Sequence, residues 1–340
     1  MSPIKMSSVT TGSVVKQGMS SVAKQALEEA AKTPHAIGAI RDKWLELGGE
    51  KGFLGRPLTN ELQTADGVGR YNQFQHGLIY WTNATGAHEV HGDIRKKWVS
   101  LGSERSFLGY PVSDEVDFSE GGRVSVFQNG SIYWWPDTGA IELKGVIVHY
   151  TGLICFGETN EASSSDEPYA ILSATTASQR PTTRRTQVYE GVDGGESRPD
   201  LLEIYRGAPW GMALNVVLME HDEGDPNKYR DLVKSAVDSG FDQIKTALPY
   251  IPIVGPILAI VGPPILDAVA PSVTDEINGL LGTGDDVIGQ TTIQLSPRQM
   301  VLLAARTNNS TERGVGFKVA TPLLSGGGAS YKVYFGLIPA

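Results

Sequence analysis

The chain has 340 residues, enough for two domains with separate cores, and its 40% hydrophobic and 20% charged content is that of a soluble globular protein. Its net charge of −9, with Arg180, Arg184 and Arg185 as the one dense basic cluster, repels polyanions and sets nucleic acid aside as a partner. A single cysteine, Cys155, excludes an internal disulfide; in the apolar run Gly152–Phe156 it reads as a small buried hydrophobe.

At the N-terminus, Lys5 is not followed by the continuous apolar core of a secretory signal. Within the arm 1–34, Val15, Met19, Val22, Ala26 and Ala30 recur at three- and four-residue steps, predicting an amphipathic helix over 13–32. Absence of disulfides suits a bacterial surface and the cytoplasm alike, so localisation stays open between export without a classical signal and the cytoplasm.

Residues 35–145 contain an internal repeat with a period of 54. Ile40, Trp44 and Gly48 recur as Ile94, Trp98 and Gly102, and Phe53-Leu54-Gly55-Arg56-Pro57 recurs as Phe107-Leu108-Gly109-Tyr110-Pro111. After a one-residue deletion, Phe74-Gln75-His76-Gly77 matches Phe127-Gln128-Asn129-Gly130, and Ile79-Tyr80-Trp81 matches Ile132-Tyr133-Trp134. Ile40, Trp44 and Leu47 form one apolar helical face that Gly48 ends and Pro57 keeps from resuming. Arg70–Phe74 and Leu78–Trp81 predict two strands of a hairpin, with Gly77 at a positive φ. Each unit is then a helix plus a hairpin, with Trp44 and Trp98 buried at equivalent places. Two such units need caps, expected from the 13–32 helix and from the segment after Gly145.

This pattern resembles the LGFP repeat, through Leu54-Gly55-Arg56-Pro57, Leu108-Gly109-Tyr110-Pro111 and the aromatic hairpins that follow them. The resemblance covers about a third of the chain. In that family the repeats occur on secreted and envelope proteins and hold them to the cell wall, so it implies binding to a cell-wall polymer or glycan. Tyr80, Trp81, Tyr133, Trp134 and Trp135 are then the candidate stacking aromatics. Because strand residues alternate between faces, at most about half of them can be exposed. His88 and His91 have no third ligand at a metal-binding spacing.

From Val146 to Ala340 the composition shifts to short β-like runs separated by Gly, Ser and Asp, predicting a β-sandwich. Ser165–Tyr169, Leu214–Asp222 and Gly284–Gly289 are similar, in that order, to landmarks of the C-two type of calcium-dependent membrane-binding sandwich. The resemblance implies calcium held by Asp166, Glu220, Asp222, Asp285 and Asp286, since calcium takes six to eight oxygens from loops at one end of such a fold. Glu167 within the first landmark and Glu220, where the family prefers Asp, depart from its pattern.

An insertion at ~227–281 interrupts this region. Asn227 to about Ile244 predicts a helix with Leu232, Val233, Ala236, Val237 and Phe241 on one face. Thr246–Leu266 then runs 21 residues without a charge, and Pro249, Pro252, Pro256, Pro263 and Pro264 break any straight span. Two readings stay open for it: short helices buried against the sandwich, or an element that engages membrane lipid.

Phosphate-loop, nucleophile-elbow, zinc-protease and dinucleotide motifs are absent, and Gly326–Ser330 reads as a flexible loop before a strand. The expected fold is mainly β with α: an N-terminal helix, two helix-hairpin repeats, then a sandwich with an apolar helical insertion. The expected function is a non-enzymatic bacterial surface-binding protein. A membrane-active toxin-like effector and an enzyme with an unfamiliar site in the sandwich are the alternatives.

Overall fold

The computed structural model describes residues 34–159, 165–176, 179–222, 225–247 and 286–340. The expected N-terminal helix, Asp285 and almost all of the uncharged run Thr246–Leu266 lie outside these. The chain is mainly β with some helices, its strands forming several antiparallel sheets. Two compact units meet in sequence at His88 and Glu89.

In the first unit the helix Gly38–Glu46 buries Ile40, and Gly48 takes a left-handed conformation just past its end. Ala36, Ile40, Leu54, Phe74 and Ile79 make a small core, with Trp44, Leu47 and Trp81 packed around it. The sheet is four-stranded rather than a hairpin alone: Leu62–Gln63, Arg70–Gln73, Gly77–Thr82 and Gly86–His91 are neighbours in that order.

The Leu-Gly-x-Pro motif has a structural reason here. Gly55 and Gly109 have φ of +71° and +72°, and at both a Cβ would collide with the carboxamide of the following Gln, Gln75 or Gln128. Each carboxamide oxygen accepts from the next backbone N–H, of Arg56 at 2.9 Å and of Tyr110 at 3.0 Å. The same glycine carbonyl accepts the helix tryptophan, Trp44 Nε1 to Gly55 at 2.9 Å and Trp98 Nε1 to Gly109 at 3.2 Å. Glycine, tryptophan and glutamine thus form one clasp in each repeat. Gly109→Ala is expected to lower stability by about 2–3 kcal/mol, from left-handed strain and the displaced Gln128; urea unfolding of the single variant measures it.

Gly77, by contrast, is not among the glycines with positive φ. Its counterpart Gly130 shows what the position requires, which is closeness: a Cβ there would lie 2.6 Å from the Leu143 carbonyl oxygen.

In the second unit the repeat's helix is Gly92–Leu101, ended by Gly102 at φ 108°. Its sheet is Val116–Phe118, Gly122–Phe127, Gly130–Trp135 and Gly139–Leu143 in order. Phe118, Val124, Tyr133, Trp135 and Leu143 join one core with Val146, Val148, Tyr150 and Phe335. The second repeat therefore shares its core with the region after Gly145 instead of ending at it. The capping expected from that region is supplied by a merged core.

Beyond Gly145 two antiparallel sheets contribute to the same core. One is Thr182–Arg185, Pro168–Thr175, Met212–Glu220 and Val287–Leu295 in order; the other is Ser197–Gly207, Val146–Gly157, Ala329–Pro339 and Val319–Ala320. Pro168–Thr175 and Met212–Glu220 are buried at every residue. Alternation explains why: Ala170, Leu172, Leu214 and Val216 enter the common core, while Tyr169, Ile171, Val217 and Met219 meet a helix. That helix, Pro226–Ala247, packs Tyr229, Val233, Ala236 and Val237 on them, close to the expected face.

Cys155 is fully buried in the core. Instead of a loose loop, Gly326–Ser330 makes a tight hairpin, with Gly327 and Gly328 at φ 59° and 95° between paired strands. Among the described residues no helix is long and apolar enough to cross a membrane.

Candidate ligand-binding face of the repeats

The hairpin aromatics divide by strand alternation. In the second repeat Trp134 stands opposite Arg123, while Tyr133 stands opposite Val124. Tyr133 and Trp135 point into the core, 2% and 0% exposed, and Trp135 Nε1 donates to the Ser119 carbonyl at 2.9 Å. Neither ring offers a face to a ligand. Burial also pushes the Tyr133 hydroxyl up to about 12. Tyr80 is buried as well and stacks on Tyr71 with centroids 5.0 Å apart. Of the five sequence-predicted aromatics, Trp81 and Trp134 are the two left half-buried.

These two have matching cross-strand partners in each unit. Trp81 faces Arg70 across the strands, and Arg70 pairs with Glu61 at 3.7 Å. Trp134 faces Arg123, which pairs with Glu115 at 3.0 Å and also with Asp117. Trp134 Nε1 donates to Asp93 at 3.2 Å. A half-buried tryptophan directly across the strands from an ion-paired arginine brings an apolar ring, donors and acceptors to one place. A polyhydroxylated ligand needs that combination.

Sequence reasoning missed the polar cluster that follows the boundary. Glu89, 1% exposed, accepts the Glu115 backbone N–H at 2.8 Å through Oε1, and its Oε2 lies 2.8 Å from His91 Nδ1. Its own N–H donates to Asp114 at 3.0 Å. His91 also approaches Glu115 at 3.5 Å. Burial pulls the His91 pKa down, but the Glu89 hydrogen bond and charge, with Glu115, outweigh it and leave it raised. This contact is therefore strongest at pH below the ordinary histidine range and weakens as pH rises through the raised value. The signal in the sequence was Glu89-Val90-His91 itself, acidic and basic residues on alternate positions of a strand end.

Of the expected calcium residues, Asp166, Glu220, Asp222 and Asp286 are described, and they lie at one end of a sheet, where Pro168–Thr175 begins, Met212–Glu220 ends and Val287–Leu295 begins. Asp166 is fully buried, and both its oxygens are engaged, by Thr159 N and Oγ1 at 2.9 and 2.8 Å and by the Tyr331 hydroxyl at 2.7 Å. Glu220 accepts the Glu167 N–H at 2.8 Å, and its other oxygen is buried without a hydrogen-bond partner. Burial first, then the neighbouring carboxylates Asp166, Glu167 and Asp222, lift its pKa to about 7. Asp222 and Asp286 are exposed. Among the described residues no three histidine, cysteine or carboxylate groups are placed to hold a metal ion. Asp166, committed to Tyr331 and Thr159, reads as a structural acid. Asp285 of the expected set lies outside the described residues, and no function is derived through calcium.

No curated protein matches the chain. The family model of the LGFP repeat matches residues 54–106 and 108–150. Each match opens on or beside the Leu-Gly-x-Pro clasp and takes in the aromatic strands that carry Trp81 and Trp134. The chain carries two LGFP repeats.

Proposed function

We propose that this is a non-enzymatic bacterial surface protein whose LGFP repeats attach it to a cell-wall polymer or glycan. The observation that carries the reading is the duplicated set Trp81–Arg70–Glu61 and Trp134–Arg123–Glu115 on matching strands. A polymer of repeating units suits a protein that presents the same aromatic and ionic groups twice, because two weak contacts on one chain raise avidity. The LGFP family is a repeat family and not an enzyme family, which agrees with the missing catalytic motifs. The two sheets after Gly145 then serve as the scaffold for the second repeat, through the core they share with Tyr133 and Trp135. We place the protein at the cell surface on the same ground.

The paired variant Trp81→Leu with Trp134→Leu keeps an apolar but smaller side chain at each place and removes both indoles; because Trp81 packs against the first repeat's core, the variant's melting temperature is measured alongside. Titrated with soluble cell-wall glycan fragments, it is expected to bind about tenfold more weakly than the parent. Equal affinity at an unchanged melting temperature would remove the tryptophans from the reading.

A further inference from the structure

The two repeats use one pair of positions in different ways. In sequence, Glu142 and Lys144 hold the places after the second repeat that Glu89 and His91 hold after the first. Glu89 and His91 are closed by protein: Glu89 accepts the backbone N–H of Glu115, and His91 faces that residue's carboxylate. An acceptor and a cation thus grip a group that offers one N–H and one carboxylate.

At the second copy the same places border an open groove of about 560 Å³, lined also by Lys97 and Phe107. Phe107 is 42% exposed, and Lys144 Nζ stands 5.5 Å from its ring centroid. Lys97 pairs with Glu142 at 2.9 Å, with both side chains about a third exposed. Lys97 and Lys144 bring two ammonium groups to the groove and Glu142 one side-chain carboxylate, and Ala340 lines it as well. The groove therefore offers the Lys144 ammonium, which can meet an anionic group, beside a half-exposed aromatic ring.

The geometry points to this groove as a binding site for a carboxylate-bearing N-acyl amino sugar. The sugar's apolar face lies on Phe107, its carboxylate meets Lys144 and Lys97, and its amide N–H donates to Glu142. The groups match those of Glu115 at the closed copy, and Phe107 adds a platform for a ring. An acidic peptide shares the N–H and the carboxylate but lacks the ring that Phe107 would stack. The inference rests on the reading of the repeats as a glycan-binding module and names the ligand class for one end of it.

The intact protein is titrated calorimetrically with N-acetylmuramic acid, with N-acetylglucosamine, which lacks the carboxylate, and with an acidic pentapeptide. The expected result is millimolar binding of N-acetylmuramic acid, about fivefold tighter than N-acetylglucosamine. Lys144→Gln, at an exposed position, is expected to abolish that preference and leave the melting temperature unchanged. Equal binding of the two sugars, no binding of either, tighter binding of the peptide, or an unaltered preference in Lys144→Gln would each overturn the assignment. Retention of the intact protein on purified cell wall is measured in parallel. Retention without the sugar preference sinks this inference alone, and the preference without retention sinks the attachment reading.

Discussion

Trp98→Ala is expected to destabilise the protein by about 3–5 kcal/mol, among the largest effects of any single substitution in the repeats. The ring is fully buried, lies 5.4 Å from Phe127 and donates to the Gly109 carbonyl, so its loss opens a cavity and orphans an acceptor at once. The sequence makes Trp44 its equal, and the clasp to Gly55 is indeed the same. Yet Trp44 is only half-buried, its stack on Phe74 is looser at 6.1 Å, and it borders a smaller core. Trp44→Ala is therefore expected to cost less, about 1–3 kcal/mol. Chemical denaturation of the two variants checks the order. Equal losses would mean that the deeper burial of Trp98 adds nothing to its repeat.

A second large effect depends on pH. Glu220 has its pKa lifted from 4.5 to about 7 by burial and by nearby acids. Its folded value lies above its unfolded one, so the contribution to stability is fully present below pH 4.5 and is lost as pH rises through about 7. Ionising it in place costs about 3 kcal/mol, the free energy of the rise from 4.5 to about 7. Glu220→Gln keeps an oxygen to accept the Glu167 N–H and never ionises. The variant should match the parent near pH 4 and exceed it increasingly up to about pH 7, with the gap constant above that. Melting curves across pH 4–9 read the difference directly. A gap that does not widen with pH would show that Glu220 stays comfortably ionised in the fold.

Those two residues mark what was legible in the chain and what was not. The repeat and its clasp could be read because identities recur in register: Trp, Leu-Gly-x-Pro and Phe-Gln must all be kept to close one small structure. The helix Pro226–Ala247 could be read because its apolar residues keep a helical period. Gly86–His91 and Gly139–Leu143 escaped notice as strands because each is short, opens on Gly-Ala and holds a single β-branched residue, and their pairing is supplied by the neighbouring strand. Thr182–Arg185 and Ser197–Gly207 are edge strands with mostly partly exposed or exposed residues, and no alternation announces them. The helix Pro297–Ala305 carried a readable start, the capping box of Ser296 and Gln299 with proline at the first turn, and it was overlooked.

For the candidate site, the limit was the second face of each hairpin. Strand alternation separates Trp134 from Tyr133 and Trp135, but which set is buried depends on partners far along the chain. Phe335, some 200 residues on, shares the core with Trp135. The grip of Glu89 and His91 on Glu115 was hidden for the same reason, since it joins a strand end to a residue well along the chain. Asp166 shows the same limit: its place in an acidic landmark could be read, but not that its oxygens accept from Tyr331 and Thr159.

The central claim is attachment, and co-sedimentation of the intact protein with purified bacterial cell wall tests it most directly. The account predicts that the protein pellets with the wall at physiological salt, saturably. Soluble glycan fragments should release it, and Trp81→Leu with Trp134→Leu should leave most of it in the supernatant. Protein that stays in the supernatant with the wall in excess, or pellets equally as parent and paired variant, would contradict the account.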